Sequence, residues 1–256
     1  MPDPCNMLWI GPSLGPVERA CMRSVLRQGH ELTLYCYKEP EGVPEGVTLS
    51  DAGEVVPEDG VVRHRNGSVA LFANRFRYEL QRLGRGLWID CDTYLIAPIE
   101  DDSDYLFGEE ESGLINNGVL RLPPDCPMLA PLLELFEEKK VPYWLPLLPR
   151  IAARWRLART GRTGLASMPW GAAGPRAITA LANRHGLAWL ARPPEIFYPA
   201  HWRDAAWIAD PGIALEDMIT PRTLAVHLWN ERIKGFKDAP APAGSFLARL
   251  HEEGRP

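Results

Sequence analysis

The chain has 256 residues, 46% of them hydrophobic and 24% charged, a globular composition with enough length to bury a sizeable core. Its net charge of -5 joins an acidic half, with 11 basic and 21 acidic residues over 1–128, to a basic half, with 17 and 12 over 129–256, which excludes a general nucleic-acid-binding surface. No stretch approaches about 18 uninterrupted apolar residues and no basic-then-apolar leader opens the chain, so the expectation is a soluble protein, at most peripheral to a membrane.

In chain order, Met7-Leu8-Trp9-Ile10 reads as a buried strand stopped by the glycines and prolines of 11–16. Val17, Cys21, Val25 and Leu26 fall at helical spacing, Gly29 supplies a stop, and Leu32 to Tyr37 returns as a strand. This β-α-β start predicts an α/β fold with a largely parallel sheet and a ligand near the carboxyl ends of its strands. Residues 38–68, rich in Gly, Pro and Glu, read as peripheral. Leu71, Phe72, Phe76, Leu80 and Leu83 predict a helix from Val69, and Leu87-Trp88-Ile89 predicts a short strand running into Asp90-Cys91-Asp92. Tyr105 to Phe107 is a further strand, Ile115 to Leu120 a turn or bulge leading into another, and Met128 to Lys140 a helix.

Residues 139–162 hold seven basic residues and no acid, interleaved with Tyr143, Trp144, Leu147, Leu148, Ile151, Trp155 and Leu157. Pro142, Pro146 and Pro149 rule out one continuous helix across that segment. Pro175 to His185 is helical. Trp189-Leu190, Ile196 to Tyr198 and Ala225 to Leu228 are candidate strands, and residues 239–256 read as a loosely attached tail after a single domain over 1–238.

Asp90 and Asp92 are one residue apart, so on an extended backbone both side chains leave on the same side and converge on one ion. A hard divalent cation held by two or three protein ligands keeps positions for phosphate oxygens and stabilises a departing diphosphate. The same Asp-x-Asp is also an ordinary acidic turn at a strand end. Arg77 reads as a phosphate or nucleotide contact, or as a solvated charge. His227, between Val226 and Leu228, reads as a metal ligand or as a satisfied buried histidine. Asn116 and Asn117 read as sugar-hydroxyl contacts or as turn formers before Gly118. Glu109 to Glu111 read as a solvated charge run or as the source of an acceptor-orienting acid, and Glu195 as a surface or pocket residue.

Taken together, Trp9-Ile10-Gly11, Arg77-Tyr78-Glu79-Leu80, Gly86-Leu87-Trp88-Ile89-Asp90-Cys91-Asp92, Ile115-Asn116-Asn117-Gly118, Gly174-Pro175, Phe197-Tyr198-Pro199 and Val226-His227-Leu228-Trp229 resemble, in order, a GT-A-type glycosyltransferase with a DXD sugar-binding region. The group resembled is that of the Och1-like α-mannosyltransferases, capsular polysaccharide transferases and α-1,4-galactosyltransferases (glycosyltransferase family 32-like), over roughly residues 7–230. The resemblance implies a single GT-A-like domain with a Rossmann-like, mostly parallel mixed sheet, a UDP-sugar or GDP-sugar donor, and Mn2+ or Mg2+. It implies Asp92 as the principal metal carboxylate and Asp90 nearer the donor sugar or ribose, also reaching the metal. His227 would complete the metal site, and imidazole nitrogen suits Mn2+ better than Mg2+. Arg77 would contact the donor, Trp9, Ile10 and Gly11 would border the base, and Asn116 and Asn117 would face the transferred sugar or the acceptor. Two positions depart from the family pattern: Gly84-Arg85-Gly86 replaces an adjacent glycine pair, and Asn74 stands where an acid is usual.

The expected partners are therefore the sugar nucleotide and a saccharide, glycolipid or other hydroxyl acceptor, with no nucleic acid, in a retaining transfer serving cell-surface polysaccharide or glycolipid synthesis. Rival readings are a metal-dependent phosphoryl or nucleotidyl transferase or diphosphate hydrolase, which would lack the usual P-loop, and a non-catalytic carbohydrate- or nucleotide-binding module. No nucleophile and acid pair for glycoside hydrolysis stands out. The basic aromatic segment 139–162 reads as an acceptor site, a peripheral membrane contact, a cover over the site or a subunit contact. Cys5, Cys21, Cys36, Cys91 and Cys126 fit neither a disulfide framework nor a zinc site, and reduced thiols in a cytoplasmic enzyme, free or at the inner membrane face, are the simpler reading.

Overall fold

The computed structural model describes residues 3–63 and 67–256. The first half builds β1 (Cys5–Leu8), α1 (Pro16–Arg27), β2 (Leu32–Cys36), β3 (Val47–Asp51), α2 (Ala70–Arg82), β4 (Leu87–Ile89), β5 (Thr93–Leu95), β6 (Leu106–Glu109) and β7 (Ile115–Arg121). The second half is mostly helical, with α3 (Leu129–Glu134), α4 (Leu147–Thr160), α5 (Pro175–Arg184), α6 (Pro194–Phe197), α7 (Leu215–Met218), β8 (Ala225–His227), α8 (Asn230–Ile233) and α9 (Phe246–Glu253). None of the described helices is long and apolar enough to cross a membrane.

Six strands form one sheet in the order β3-β2-β1-β4-β7-β6. β3, β2, β1 and β4 run parallel to one another, whereas β7 is antiparallel to both β4 and β6. The result is an α/β domain with a mixed sheet, so the wholly parallel opening does not extend across it. Within this sheet the chain winds outward from β1 through β2 to β3, then returns to the other side of β1 as β4. That reversal is a topological switch point at the carboxyl ends of β1 and β4, the usual ligand position in open α/β sheets.

Alternation along the strands fills both faces. Trp88 and Leu120 pack with Phe72, Phe76 and Ile178 under α2 and α5, while Leu87, Ile89 and Val119 pack with Met7, Met22 and Leu34 under α1.

Several expectations are corrected by the structure. β1 begins and ends two residues earlier than expected, and residues 38–68 include β3, an edge strand pairing Leu34 with Leu49. Residues 64–66 of that segment lie outside the described residues. Ile115–Arg121 is strand throughout, and the irregularity lies opposite it, between Leu106 and Gly108. The helix expected to reach Lys140 loses α geometry after Glu134. One 3-10 turn ends at Glu138, whose left-handed backbone (φ 57°) turns its carboxylate to accept from the Gly164 and Leu165 amides. Trp189-Leu190 lies in a 3-10 turn, and Ile196-Phe197 in α6, which Pro194 starts at a position that needs no amide hydrogen.

The end of the chain is docked rather than loose. Ser245 caps α9, and Phe246, Leu247 and Leu250 are buried with Val17, Tyr94 and Trp207, the Phe246 and Trp207 rings stacking at 5.3 Å.

Candidate metal centre

Asp90 and Asp92 follow β4 in a tight turn closed by the Thr93 amide donating to the Asp90 carbonyl at 3.0 Å. They converge because the chain turns there, not because the backbone is extended. β5 leaves that turn and pairs with β8, setting Thr93 opposite His227, and the Leu228 amide donates to the Asp92 carbonyl at 2.8 Å. A side chain 135 residues further along is thereby pinned over the carboxylates. His227 Nε2 lies 3.6 Å from Asp90 Oδ2 and 3.6 Å from Asp92 Oδ1.

Each group has its own support. Asp90 Oδ1 accepts from the Trp88 indole at 2.8 Å and pairs with Arg77 Nη2 at 2.8 Å. Arg77 is buried, donates also to the Asn117 and Ala73 carbonyls, and lies over the Trp88 ring at 4.8 Å. It is therefore no solvated charge; its guanidinium grips the strand and the carboxylate. Asp92 Oδ2 accepts from the Asn230 amide at 2.6 Å. Trp229, at φ 60°, presents that amide by turning the chain sharply out of β8, a backbone state that costs about 1–3 kcal/mol at a non-glycine residue.

The electrostatics follow from these contacts. Burial opposes the charged form of Asp90, but Arg77, then His227 and the Trp88 indole, hold its carboxyl below the usual range. Burial likewise opposes the imidazolium of His227, yet Asp92 and then Asp90 outweigh it and raise the ring above the ordinary histidine value. The Trp229 amide donates to Nδ1 in a long hydrogen bond of 3.3 Å, which leaves Nε2 to face the two carboxylates.

Two carboxylates and one imidazole, each offering an atom within 4.8 Å of the others, make a donor set that fits a divalent cation such as Mn2+ or Mg2+. Among the described residues this is the one such cluster. Nearby, Asn230 Oδ1 is buried without a partner.

A raised histidine pKa stabilises the fold fully below the unfolded value of about 6.5 and is lost as pH rises through the folded value. Asp90 acts in the opposite sense, and its contribution is lost only in acid, below this window. The cation-free chain is thus expected to lose thermal stability through the His227 contribution as pH rises from about 6.5 through the raised folded value, while the stabilisation given by Mn2+ grows over that interval because the ion replaces the proton. Melting curves across that range with and without Mn2+ check this. A Mn2+ effect independent of pH would remove His227 from the ligand set.

Gly118 lies in β7 directly beneath the cluster. A Cβ there would sit 2.9 Å from His227 Cδ2 and 3.1 Å from both His227 Nε2 and Asp90 Oδ2. The strand cannot retreat, since the Gly118 carbonyl accepts from the Asp90 amide at 2.7 Å and its amide donates to Asn116 Oδ1 at 2.7 Å. Gly118→Ala is expected to cost about 1–3 kcal/mol and to weaken Mn2+ binding together with stability, measured by denaturant unfolding and a Mn2+ titration.

The remaining expected residues are placed as follows. Asn117 points to the α2 side, bonding Asn74 at 2.8 Å and the Tyr78 hydroxyl at 3.0 Å. Asn116 Nδ2 donates to Glu110 at 2.7 Å, so Glu110 is buried rather than part of a solvated run. Neither asparagine is a turn former. Trp9, Ile10 and Gly11 follow β1 beside the carboxylate turn, where the Cys91 thiol donates to the Leu8 carbonyl at 3.3 Å, and the Trp9 indole nitrogen is buried without a partner. Glu195 pairs with Arg222 at 2.7 Å on the surface.

Trp88, Gly118 and Asn230 support the site without having been singled out from the sequence as site residues. Trp88 and Asp90 share a face by alternation and Gly118 interrupts a strand, so both left a signal; Asn230 left none.

The fold and the cluster together define an α/β domain with a candidate divalent-cation centre at its switch point. No protein-family model matches the chain, and no curated protein matches it. Among solved structures, it is similar to one titled PaToxG Glycosyltransferase, with 11% identity, a TM-score of 0.43, and coverage of 71% of this chain and 67% of that one.

Proposed function

We propose that the chain transfers a glycosyl group from a UDP-sugar or GDP-sugar to a hydroxyl of a saccharide or glycolipid acceptor, with retention at the anomeric carbon. The observation that carries this reading is the Asp90, Asp92 and His227 cluster at the switch point, where open α/β sheets receive nucleotides. Asp92, His227 and Asp90 would hold Mn2+ or Mg2+, and the bound ion supplies the positive charge that stabilises a departing diphosphate. Both carboxylates face one imidazole, the disposition of ligands rather than of a glycosidase pair set on two sides of a bond.

The chain's own residues do the rest of the work in this reading. Arg77 and the Trp88 indole fix Asp90, the Asn230 amide fixes Asp92, and Trp9, Ile10 and Gly11 border the base. Asn116 is buried with its Nδ2 donating to Glu110 and its Oδ1 accepting from the Gly118 amide, so in this reading it shapes the sugar side of the site through Glu110 rather than by free polar atoms of its own. Asn117 serves by position, its carbonyl anchoring Arg77.

The test is incubation of the intact chain with a panel of UDP- and GDP-sugars, with Mn2+ and with chelator, followed by mass analysis of products. Nucleoside diphosphate with free or transferred sugar, formed only with the cation, is the expected result. Nucleoside monophosphate with sugar 1-phosphate would replace glycosyl transfer by attack at phosphorus. Donor binding without any turnover would leave a binding module.

A further inference from the structure

The helix α4 is built inside out. Leu147, Ile151 and Trp155 recur at four-residue spacing and form one stripe with Leu148 beside it. They are 62%, 51%, 62% and 76% exposed in that order, while the inward side is held by the small Ala153 and by Arg156, which donates to the Thr163 carbonyl at 3.0 Å. An ordinary surface helix turns such residues the other way, and contiguous exposed apolar surface of this kind marks an interaction site.

Charge selects the partner. From 139 to 194 the chain carries ten Lys and Arg residues and no Asp or Glu. Lys140 and Arg162 are neutralised by Glu134 and Glu138, but Arg150, Arg154 and Arg159, which flank the apolar stripe, enter no ion pair among the described residues. Arg159 lies over the Trp155 ring at 4.5 Å, an aromatic and cationic pair suited to a headgroup layer.

We infer that α4 docks this face on an anionic lipid bilayer, with Leu147, Leu148, Ile151 and Trp155 entering the headgroup and acyl boundary and Arg150, Arg154 and Arg159 meeting lipid phosphates. A nucleic acid would satisfy the arginines but leave the apolar stripe in water. A second copy packed isologously would set the same arginines against one another. The inference is independent of the transferase reading and stands or falls separately from it.

The experiment is flotation of the full chain with vesicles of phosphatidylcholine alone and of phosphatidylcholine with about one-third phosphatidylglycerol. The chain is expected to float with the anionic vesicles only, and less as salt rises. Arg150→Ala and Arg154→Ala should each weaken binding about fivefold, and the Leu148→Asp, Trp155→Asp double variant at least about tenfold. Leu148, Arg154 and Trp155 are exposed, and half-buried Arg150 gives up one hydrogen bond, to the Tyr143 carbonyl, so an unchanged melting curve shows that the fold survives. Absence of flotation, equal flotation with neutral vesicles, or flotation unaltered by the double variant overturns the inference. So does sedimentation showing that the double variant converts a dimer to a monomer, or retention of RNA in place of vesicles.

Discussion

Asp92→Asn is expected to lower Mn2+ affinity by at least about a hundredfold while leaving the fold in place. Changes to groups that only orient a ligand already cost about 10–100-fold, and here a charged ligand itself is neutralised. The carboxamide keeps an oxygen to accept from the Asn230 amide, which Asp92 Oδ2 meets at 2.6 Å, so the junction of β5 and β8 survives. The loss of stability should stay near about 1 kcal/mol, the worth of the charge in that hydrogen bond. His227 supplies an internal check, because Asp92 is the strongest influence raising its ring. Its imidazole titration, followed by NMR, should move downward in the variant. Asp92→Ala loses the Asn230 contact as well and should be less stable than Asp92→Asn. Full Mn2+ affinity in Asp92→Asn would remove this carboxylate from the centre.

Arg77→Met is expected to be the most destabilising of these changes, by about 3 kcal/mol, the lower end of the range for stripping one partner from a buried ion pair. The lower end applies because Asp90 keeps some access to water, its side chain being 22% exposed. The variant leaves Asp90 beside Asp92 without its cation, empties the space over Trp88, and frees the Asn117 carbonyl. Mn2+ should restore part of the lost stability, because the ion neutralises the same carboxylate. Arg77→Lys should recover less than half, since one ammonium cannot span both Asp90 and the Asn117 carbonyl as the planar guanidinium does. Denaturant unfolding of the three proteins with and without Mn2+ measures both effects. Equal unfolding midpoints for Arg77→Met and the parent would show that the pair does not hold the site.

The opening β-α-β unit was legible because its periods are clean: Val17, Cys21 and Val25 at helical spacing, Leu32 and Leu34 alternating, Pro16 and Gly29 at the boundaries. Asp90 and Asp92 were legible as a pair, yet the turn that aims them was not, since β5 is a three-residue strand whose partner lies far along the chain. The antiparallel β7 was hidden for a related reason. Hydrophobic alternation in Ile115–Arg121 reports which face a residue takes but nothing of strand direction. Arg77 was legible as a donor contact or a solvated charge but not as the partner of Asp90, since helical spacing reports a face and not what lies across it; only the packed structure shows its carboxylate and carbonyl partners. α9 carried an apolar face in Phe246, Leu247 and Leu250 behind a Ser245 cap, but Pro240, Pro242 and Gly244 just before it read as an unravelling end.

The most direct measurement is pulsed electron paramagnetic resonance of Mn2+ added to the intact chain and to His227→Ala. One tightly held Mn2+ per chain, with a nitrogen modulation from imidazole that disappears in His227→Ala, is the expected result. Mn2+ that stays in the spectrum of the free aquo ion, or a nitrogen signal that survives His227→Ala, would contradict a divalent-cation centre built from Asp90, Asp92 and His227.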